Sequence, residues 1–198
     1  MNTDAYEKMI VPYKERQKKR LLTAAGVMVL GFVLAATGIG AIAGIAAMIY
    51  LIMEGIPTYT CKSHERKSLK ALQKAGVFDR AMGGAAGAST CQIDGLSYAW
   101  NDEFLYLPYG AVYPLKDVAW IYPYAHNMVI LLFTITINAC QLFLADGTQS
   151  LLFYGKAKDQ EAFRQLLAGL KQTKPELLLG YSEENKQQYQ QIKQKNAK

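Results

Sequence analysis

The sequence predicts an α+β protein with an N-terminal transmembrane helical segment and a β-rich domain that ends in a helix. Three observations carry this prediction. A stretch of 33 residues, Leu21 to Met53, holds no charged residue. Short segments rich in aromatic and β-branched residues follow it, separated by turn signals. After these segments, the spacing of apolar residues changes from the period of a strand to that of a helix.

The uncharged stretch is longer than the run of about eighteen apolar residues that suggests a membrane span. As one helix it would be about 50 Å long, whereas the hydrocarbon core of a bilayer is about 30 Å thick. We therefore expect a transmembrane hairpin within residues 21–60, with its turn at Thr37-Gly38-Ile39-Gly40. A single long span, or a signal peptide cleaved near Ala41-Ile42-Ala43, is the alternative.

Basic residues flank the uncharged stretch on both sides, with five in residues 14–20 and four in residues 62–70. Positively charged flanks of a membrane segment stay on the cytoplasmic side. The sequence thus predicts a protein of the cell membrane with the lipid bilayer as one partner. Both termini and the β-rich domain are expected in the cytoplasm.

The net charge of +6 lies entirely in the first part of the chain. Residues 1–87 hold 12 basic and 6 acidic residues, and residues 88–198 hold 10 of each. A groove that follows phosphates needs clustered Lys and Arg, so we expect no nucleic-acid partner. Composition divides the chain into five segments, which are a basic cytoplasmic arm (1–20), the transmembrane hairpin or long span (21–60), a basic helix with a Gly-rich linker (61–88), the β-rich domain (89–181) and a polar C-terminal helix or tail (182–198).

About seven strands are expected in the β-rich domain, a number and spacing typical of a sandwich or small barrel. Turn signals stand at Asp94-Gly95, Asn101-Asp102 and Asp146-Gly147. Asp159 is expected to cap an amphipathic helix, and Ser182 is expected to begin a second one. The expected strands are residues 89–94, 104–107, 112–115, 118–124, 129–137, 140–144 and 150–154.

Two segments resemble a group of bacterial membrane-anchored proteins that carry a pleckstrin-homology-like domain and have no characterised function. They are Val112-Tyr113-Pro114-Leu115-Lys116-Asp117-Val118-Ala119-Trp120-Ile121-Tyr122 and Lys174-Pro175-Glu176-Leu177-Leu178-Leu179-Gly180-Tyr181-Ser182. The resemblance implies a partly open β-barrel of about seven strands, capped by a C-terminal helix. Members of the wider fold that bind phosphoinositides use Lys and Arg after the first strand. Residues 81–115 hold neither, so no specific phosphoinositide site is expected.

No pattern in the sequence predicts catalysis, a cofactor or a metal. Cys61-Lys62-Ser63-His64 offers one ligand pair without a second, whereas a structural zinc site needs four ligands. Nucleophile elbows and phosphate-binding glycine loops are absent from the sequence. The three cysteines, Cys61, Cys91 and Cys140, are odd in number and far apart, which indicates no disulfide framework.

The function expected is that of a membrane-tethered, non-enzymatic interaction or scaffold module that contacts another membrane protein or a peptide. A structural subunit that associates through its transmembrane legs is one alternative, and an enzyme with an unrecognised site is a second. The candidate partner-binding residues are Trp120, Tyr122 and Tyr124. Alternation along residues 118–124 predicts that they share a face with Val118, and Pro123 predicts either an edge strand or a strand that ends at this residue.

Overall fold

The computed structural model describes residues 4–35, 39–130, 133–154 and 160–196. Five helices and eight strands occur in these ranges, together with short 3-10 turns at Ala85–Gly87 and Leu115–Asp117. In chain order they are α1 (Asp4–Ala35), α2 (Ile39–Lys74), α3 (Phe78–Gly84), β1 (Ser89–Ile93), β2 (Leu96–Trp100), β3 (Phe104–Tyr106), β4 (Val112–Pro114), β5 (Val118–Ile130), β6 (Phe133–Leu144), β7 (Gln149–Tyr154), α4 (Gln160–Thr173), β8 (Leu178–Leu179) and α5 (Glu183–Asn196).

The strands form two four-stranded sheets, with the orders β1-β2-β3-β4 and β7-β6-β5-β8. All neighbours are antiparallel except β8, which runs parallel to β5. The class is α+β, but the predicted single small barrel is wrong. The strand ladder is interrupted after β4 by the turn Leu115–Asp117, so the described strands of one sheet do not pair with those of the other.

Turn chemistry sets the register of the first hairpin. Asp94 and Gly95 have φ angles of +51° and +70°, and they connect β1 and β2 directly. Two consecutive positive φ angles match the right-handed twist of paired strands, which is why Asp-Gly favours a two-residue hairpin. The turn predicted at Asp94-Gly95 is therefore confirmed, although β2 itself was not among the expected strands.

Helices α1 and α2 lie antiparallel, with the ammonium of Lys14 4.0 Å from the carboxylate of Glu65. Helix α2 is terminated by Gly76, two residues after its last helical residue, and Gly76 has a φ of +70°. The amide of Val77 donates to the carbonyl of Leu72, and the amide of Gly76 donates to that of Gln73. This is a Schellman motif, in which glycine adopts the left-handed conformation that ends a helix. Residues 76–88, expected as a linker, form α3 and a 3-10 turn.

The predicted transmembrane segment is contradicted. In the described part of the chain, no helix is long and apolar enough to cross a membrane. The apolar run is divided between two helices, and in α1 it covers only Leu21 to Ala35. These 15 residues span about 22 Å, which is short of a hydrocarbon core of about 30 Å. The localisation in the cell membrane, which depended on this segment, is contradicted with it. Of the turn expected at Thr37-Gly38-Ile39-Gly40, Thr37 and Gly38 lie outside the described residues, whereas Ile39 and Gly40 begin α2 and are helical.

Strand β3, in the middle of the first sheet, is buried on both faces. Leu105 of β3 points into a main core that both sheets, α2 and α4 share, and that also contains Ile121 and Leu166. Its neighbours Phe104 and Tyr106 point the other way, into a second core built with α1, α2 and α3. The second core contains Tyr6, Met9, Ile10, Leu72, Ala81, Met82, Ala99, Phe104, Tyr106 and Val112.

Candidate functional site

The direction of the candidate residues is set by an irregularity at the start of β5. The register against β6 shifts between Val118 and Trp120, which marks a β-bulge. Val118 and Ile121 consequently point into the main core, whereas Trp120 lies on the opposite, outer face of the second sheet. The prediction that Val118 and Trp120 share a face is wrong because strict alternation does not hold across a bulge.

Five aromatic rings meet on this outer face, and we call them the aromatic patch. The ring of Trp120 lies 4.4 Å from that of Tyr122 and 5.2 Å from that of Phe143. Tyr181, from the segment after β8, stacks on Trp120 at 6.0 Å and meets Tyr122 edge-on at 5.5 Å. Tyr189 of α5 completes the patch at 5.5 Å from Trp120. These spacings are those of favourable aromatic pairs.

The patch has a buried floor and an accessible rim. Trp120, Phe143 and Tyr189 are each at least 95% buried, and Tyr122 is half-buried. Tyr181 exposes 56% of its surface. Of the predicted site residues, Trp120 thus supports the patch from below and Tyr122 lies at its surface. The side chain of Tyr124 is outside the described residues, although its backbone pairs with Ala139.

Trp120 is also held by a polar contact. Its indole N–H donates to the carbonyl of Gly180 at 2.8 Å, so a buried donor is satisfied. Gly180 has a φ of +77°, a conformation that favours glycine, and its amide donates to the carbonyl of Ile121. The chain therefore turns at Gly180 and places Tyr181 directly beside Trp120. Tyr181 was not predicted as a site residue.

Strand β5 is not an edge strand at the patch. It lies between β6 and β8, and Trp120 and Ile121 pair with Leu178 and Leu179. The backbone polar groups of Pro123, two residues beyond Ile121, face β8 as those of Ile121 do, but proline has no N–H to donate. Pairing with β8 stops before this position. Proline thus ends the second ladder, whereas the pairing with β6 continues to Ile130.

The outer face is covered in part by α5. The hydroxyl of Ser182 accepts from the amide of Asn185 at 3.0 Å, which confirms the predicted helix start. The side-chain amide of Asn185 donates to the carbonyls of Leu179 and Gly180, both at 3.1 Å. Tyr189 then donates from its buried hydroxyl to the carbonyl of Leu144. These bonds fix α5 over Phe143 and leave Tyr181 at the rim.

Lys174 joins the two segments on which the family resemblance rests. Its ammonium donates to the carbonyls of Leu115 at 3.0 Å, Lys116 at 2.8 Å and Val118 at 2.8 Å. Burial lowers the pKa of Lys174, and the nearby carboxylates of Glu176 and Asp117 oppose that shift. All three ammonium donors are used on backbone acceptors, so the side chain holds the turn before β5 in place.

No family model, curated protein or solved structure matches this chain. The resemblance to membrane-anchored proteins with a pleckstrin-homology-like domain therefore stays a prediction. What can be said of function comes from the geometry of the chain itself.

A second concave feature lies between α2, β4 and the turn from β6 to β7. It is a half-open cleft of about 410 Å³, within the usual size range of small-molecule sites. One stripe of α2 forms a wall, and the end of α5 reaches it through Asn196. Mostly small and aliphatic side chains line it, and its acidic and basic residues are His64, Lys67, Asp117 and Asp146.

The charged groups of the cleft influence one another. Burial lowers the pKa of His64, and the ammonium of Lys67 lowers it further, so both favour the neutral imidazole. Burial raises the pKa of Asp117, while Lys116 and Lys174 oppose this rise and Asp146 adds to it. Sequence reasoning missed this cleft because its lining comes from segments far apart in the chain.

Metal ligands are not assembled in the described ranges. No three His, Cys, Asp or Glu side chains there lie close enough together to hold a metal ion. Cys61 is buried in the main core, where burial raises the pKa of its thiol, and His64 lines the cleft. Cys61 and His64, which are only three residues apart in the sequence, thus lie in different places, one in the main core and one in the cleft.

Proposed function

We propose that this chain is a non-enzymatic interaction module whose partner binds at the aromatic patch. The observation that supports it most is the ring of Tyr181, which is 56% exposed while it stacks on the buried Trp120. Tyrosine rings with a fixed orientation offer a large contact area at a low cost in conformational entropy. The membrane tether of the original hypothesis is not part of this proposal.

The patch is prepared for contact before a partner arrives. Tyr122 is sandwiched against Phe143 at 5.1 Å with an interplanar angle of 13°, so its ring has little freedom to turn. The Tyr181 hydroxyl donates to the carboxylate of Glu183 at 2.8 Å. Since both rim rings are already ordered, binding would lose little side-chain entropy.

The chemistry of the rim indicates the kind of partner. Asp117 to Gly155 contains no Lys or Arg, so the strands below the rim do not favour a highly acidic ligand or nucleic acid. Aromatic rims bind apolar and proline-containing segments, which stack on the rings without needing charge. Addition of an extended peptide beside β5 is disfavoured. The backbone of Ile121 already pairs with β8, and Pro123 has no N–H to donate to a further strand.

Site-specific photocrosslinking in the full chain tests the patch directly. A benzophenone side chain in place of Tyr181 should give a defined crosslinked product in cells that produce the protein. The same group in place of Tyr59 is the matched control, because Tyr59 is also a highly exposed tyrosine, at 78%. Adding Tyr122→Ala to the position-181 variant should reduce the product strongly. Identical products from positions 59 and 181, or none at 181, would count against the patch.

A small-molecule site at the cleft is the second candidate function. The observation in its favour is the convergence of His64, Lys67, Asp117 and Asp146 on one cavity of about 410 Å³. Enzymatic and ligand-binding roles both require such a convergence. Ligand-observed NMR with a fragment library would test it, with Asp117→Asn as the variant that should abolish any hit. Fragments that bind both proteins equally would exclude a role for this carboxylate.

A further inference from the structure

The cleft between α2, β4 and the turn from β6 to β7 carries its charges in two separate groups. His64 and Lys67 lie about one helical turn apart on α2. Asp117 and Asp146 come from other segments, the turn before β5 and the turn between β6 and β7. Among the described residues, no ion pair joins the basic group to the acidic one. The cleft therefore presents charges of both signs that are not paired with each other.

Within each group the side chains are near enough to influence one another. Burial is the larger cause that lowers the pKa of His64, and the ammonium of Lys67 lowers it further. Burial likewise raises the pKa of Asp117, and the carboxylate of Asp146 adds to that rise. A neutral imidazole still carries one N–H donor. The basic group thus offers a positive charge and a hydrogen-bond donor, which together suit a carboxylate.

The carboxylate of Asp117 is the main anchor of the acidic group. Lys174 lies near it, but the Lys174 ammonium already donates to three backbone carbonyls. In the described part of the chain, no group donates a hydrogen bond to this half-buried carboxylate. Asp146 differs, since its oxygens accept from the amide and the hydroxyl of Thr148 at 2.7 Å and 3.0 Å. A desolvated carboxylate without a donor favours a cationic group of a ligand.

The rest of the lining is largely apolar. Leu72, Val112 and Leu144 line the cleft, and each of these side chains is at least 92% buried. An apolar part of a ligand would lose its contact with water against them, which stabilises a complex by about 25 cal/mol per Å². The ligand that complements this lining has an apolar body and two ends of opposite charge.

We infer that the cleft binds a small zwitterion with an apolar body, the class to which short apolar peptides with free ends belong. The ammonium of the ligand binds Asp117, and its carboxylate binds Lys67 and accepts from the imidazole of His64. A ligand with one charge would compensate only one of the two groups. The inference rests on the second candidate function, a small-molecule site at the cleft, and it is independent of the aromatic patch.

Three peptides that differ only in their end charges test this in the full, unmodified chain. Leucyl-leucine has both charges, N-acetyl-leucyl-leucine keeps only the carboxylate, and leucyl-leucine amide keeps only the ammonium. NMR chemical-shift titration measures each affinity and shows which amide signals move. We expect leucyl-leucine to shift the signals of Val112, Asp117 and Thr148. Each blocked peptide should bind weaker by about tenfold or more, because one charged contact is lost.

Two variants assign each charged end of the peptide to its group in the cleft. Asp117→Asn should bind leucyl-leucine and its N-acetyl form equally, since the carboxylate that recognises the ammonium is gone. Lys67→Gln should bind leucyl-leucine and its amide equally, since the ammonium that recognises the carboxylate is gone. Asp102→Asn and Lys70→Gln are the matched controls, because both residues are exposed and neither lines the cleft. Both controls should keep the preference for the doubly charged peptide.

Blocked peptides that bind as tightly as leucyl-leucine would overturn the inference, as would the failure of all three peptides to bind. Variants at Asp117 and Lys67 that keep the full preference would overturn it too. The fragment screen separates this failure from that of the cleft as a small-molecule site. Fragments that bind the unmodified chain but not Asp117→Asn would keep the site and refute only the zwitterion. If neither peptides nor fragments bind, both proposals are wrong.

Discussion

Lys174 shows how one side chain can connect distant segments. Its ammonium satisfies three backbone carbonyls between Leu115 and Val118, and the residue is only 9% exposed. Those carbonyls belong to the turn that separates the two sheets and to the first residue of β5. The position of Trp120, two residues further along, depends on this turn.

We expect Lys174→Met to destabilise the fold by about 1–3 kcal/mol, because the buried carbonyls lose their hydrogen-bond donor and no water replaces it. Chemical denaturation followed by tryptophan fluorescence measures this change. Lys116→Met is the control, since Lys116 is exposed and should change the free energy of unfolding by less than about 0.5 kcal/mol. Similar values for the two variants would mean that the buried ammonium has no stabilising role.

Residue patterns predicted local features well and contacts between distant residues poorly. The turn at Asp94-Gly95, the end of α2 at Gly76 and the start of α5 at Ser182 each depend on neighbouring residues only. The contact between Lys174 and Leu115 joins residues 59 positions apart, and nothing local signals it. Tyr181 was missed for the same reason, because its role depends on Gly180 turning beside Ile121.

Helix α4 packs on the first sheet through a glycine. A Cβ atom at Gly169 would lie 2.3 Å from the indole ring of Trp100, so any side chain there forces the helix away. This close approach lets Leu166 and Leu170 reach the main core, where both are fully buried. The amphipathic pattern predicted the buried stripe of α4, but not the sheet on which it lies.

Gly169→Ala should lower stability by about 1–3 kcal/mol, as is usual when a methyl group is forced into a packed site. Gly83→Ala in α3 is the matched helical control, since a Cβ there meets nothing within 4 Å. That change should be neutral or stabilise by up to about 1 kcal/mol. Thermal melts of both variants measure the difference, and a neutral Gly169→Ala would show that α4 sits further from Trp100.

Strand β5 illustrates why strand boundaries were only partly predicted. Residues 118–124 and 129–137 were expected as two separate strands. The structure has one continuous strand to Ile130, stabilised by twelve residue pairs with β6. Pairing with a neighbouring strand overrides local propensity, and the sequence alone does not show which strand will be the neighbour.

Across the described chain, the N-terminal helices contribute to the core of the β-rich part. Tyr6 is buried and donates its hydroxyl proton to the carbonyl of Gly110 at 2.6 Å. Ser68 of α2 accepts from the amide of Val112. The sequence analysis divided the N-terminal helices from the β-rich domain because their charge and hydropathy differ. Hydropathy alone does not show which face of a helix packs on a sheet.

A fragment of residues 75–198 should therefore be much less stable than the full chain. It lacks Tyr6, Ile10 and Leu72, which share the second core with Tyr106. Losing several buried side chains at 2–5 kcal/mol each exceeds the stability of a typical domain, about 5–15 kcal/mol. Circular dichroism melts should show a cooperative transition for the full chain only. A fragment that melts cooperatively at the same temperature would show that the helices are dispensable.

The central claim is that a partner binds where Tyr181 stacks on Trp120. The measurement that tests it most directly is the affinity of the full chain for the partner segment captured by crosslinking, determined by titration calorimetry for Tyr181→Ala and Tyr59→Ala. We expect Tyr181→Ala to weaken binding at least tenfold, about 1.4 kcal/mol, as for a central aromatic contact, and Tyr59→Ala to leave it unchanged. Equal affinities for the two variants would contradict the claim.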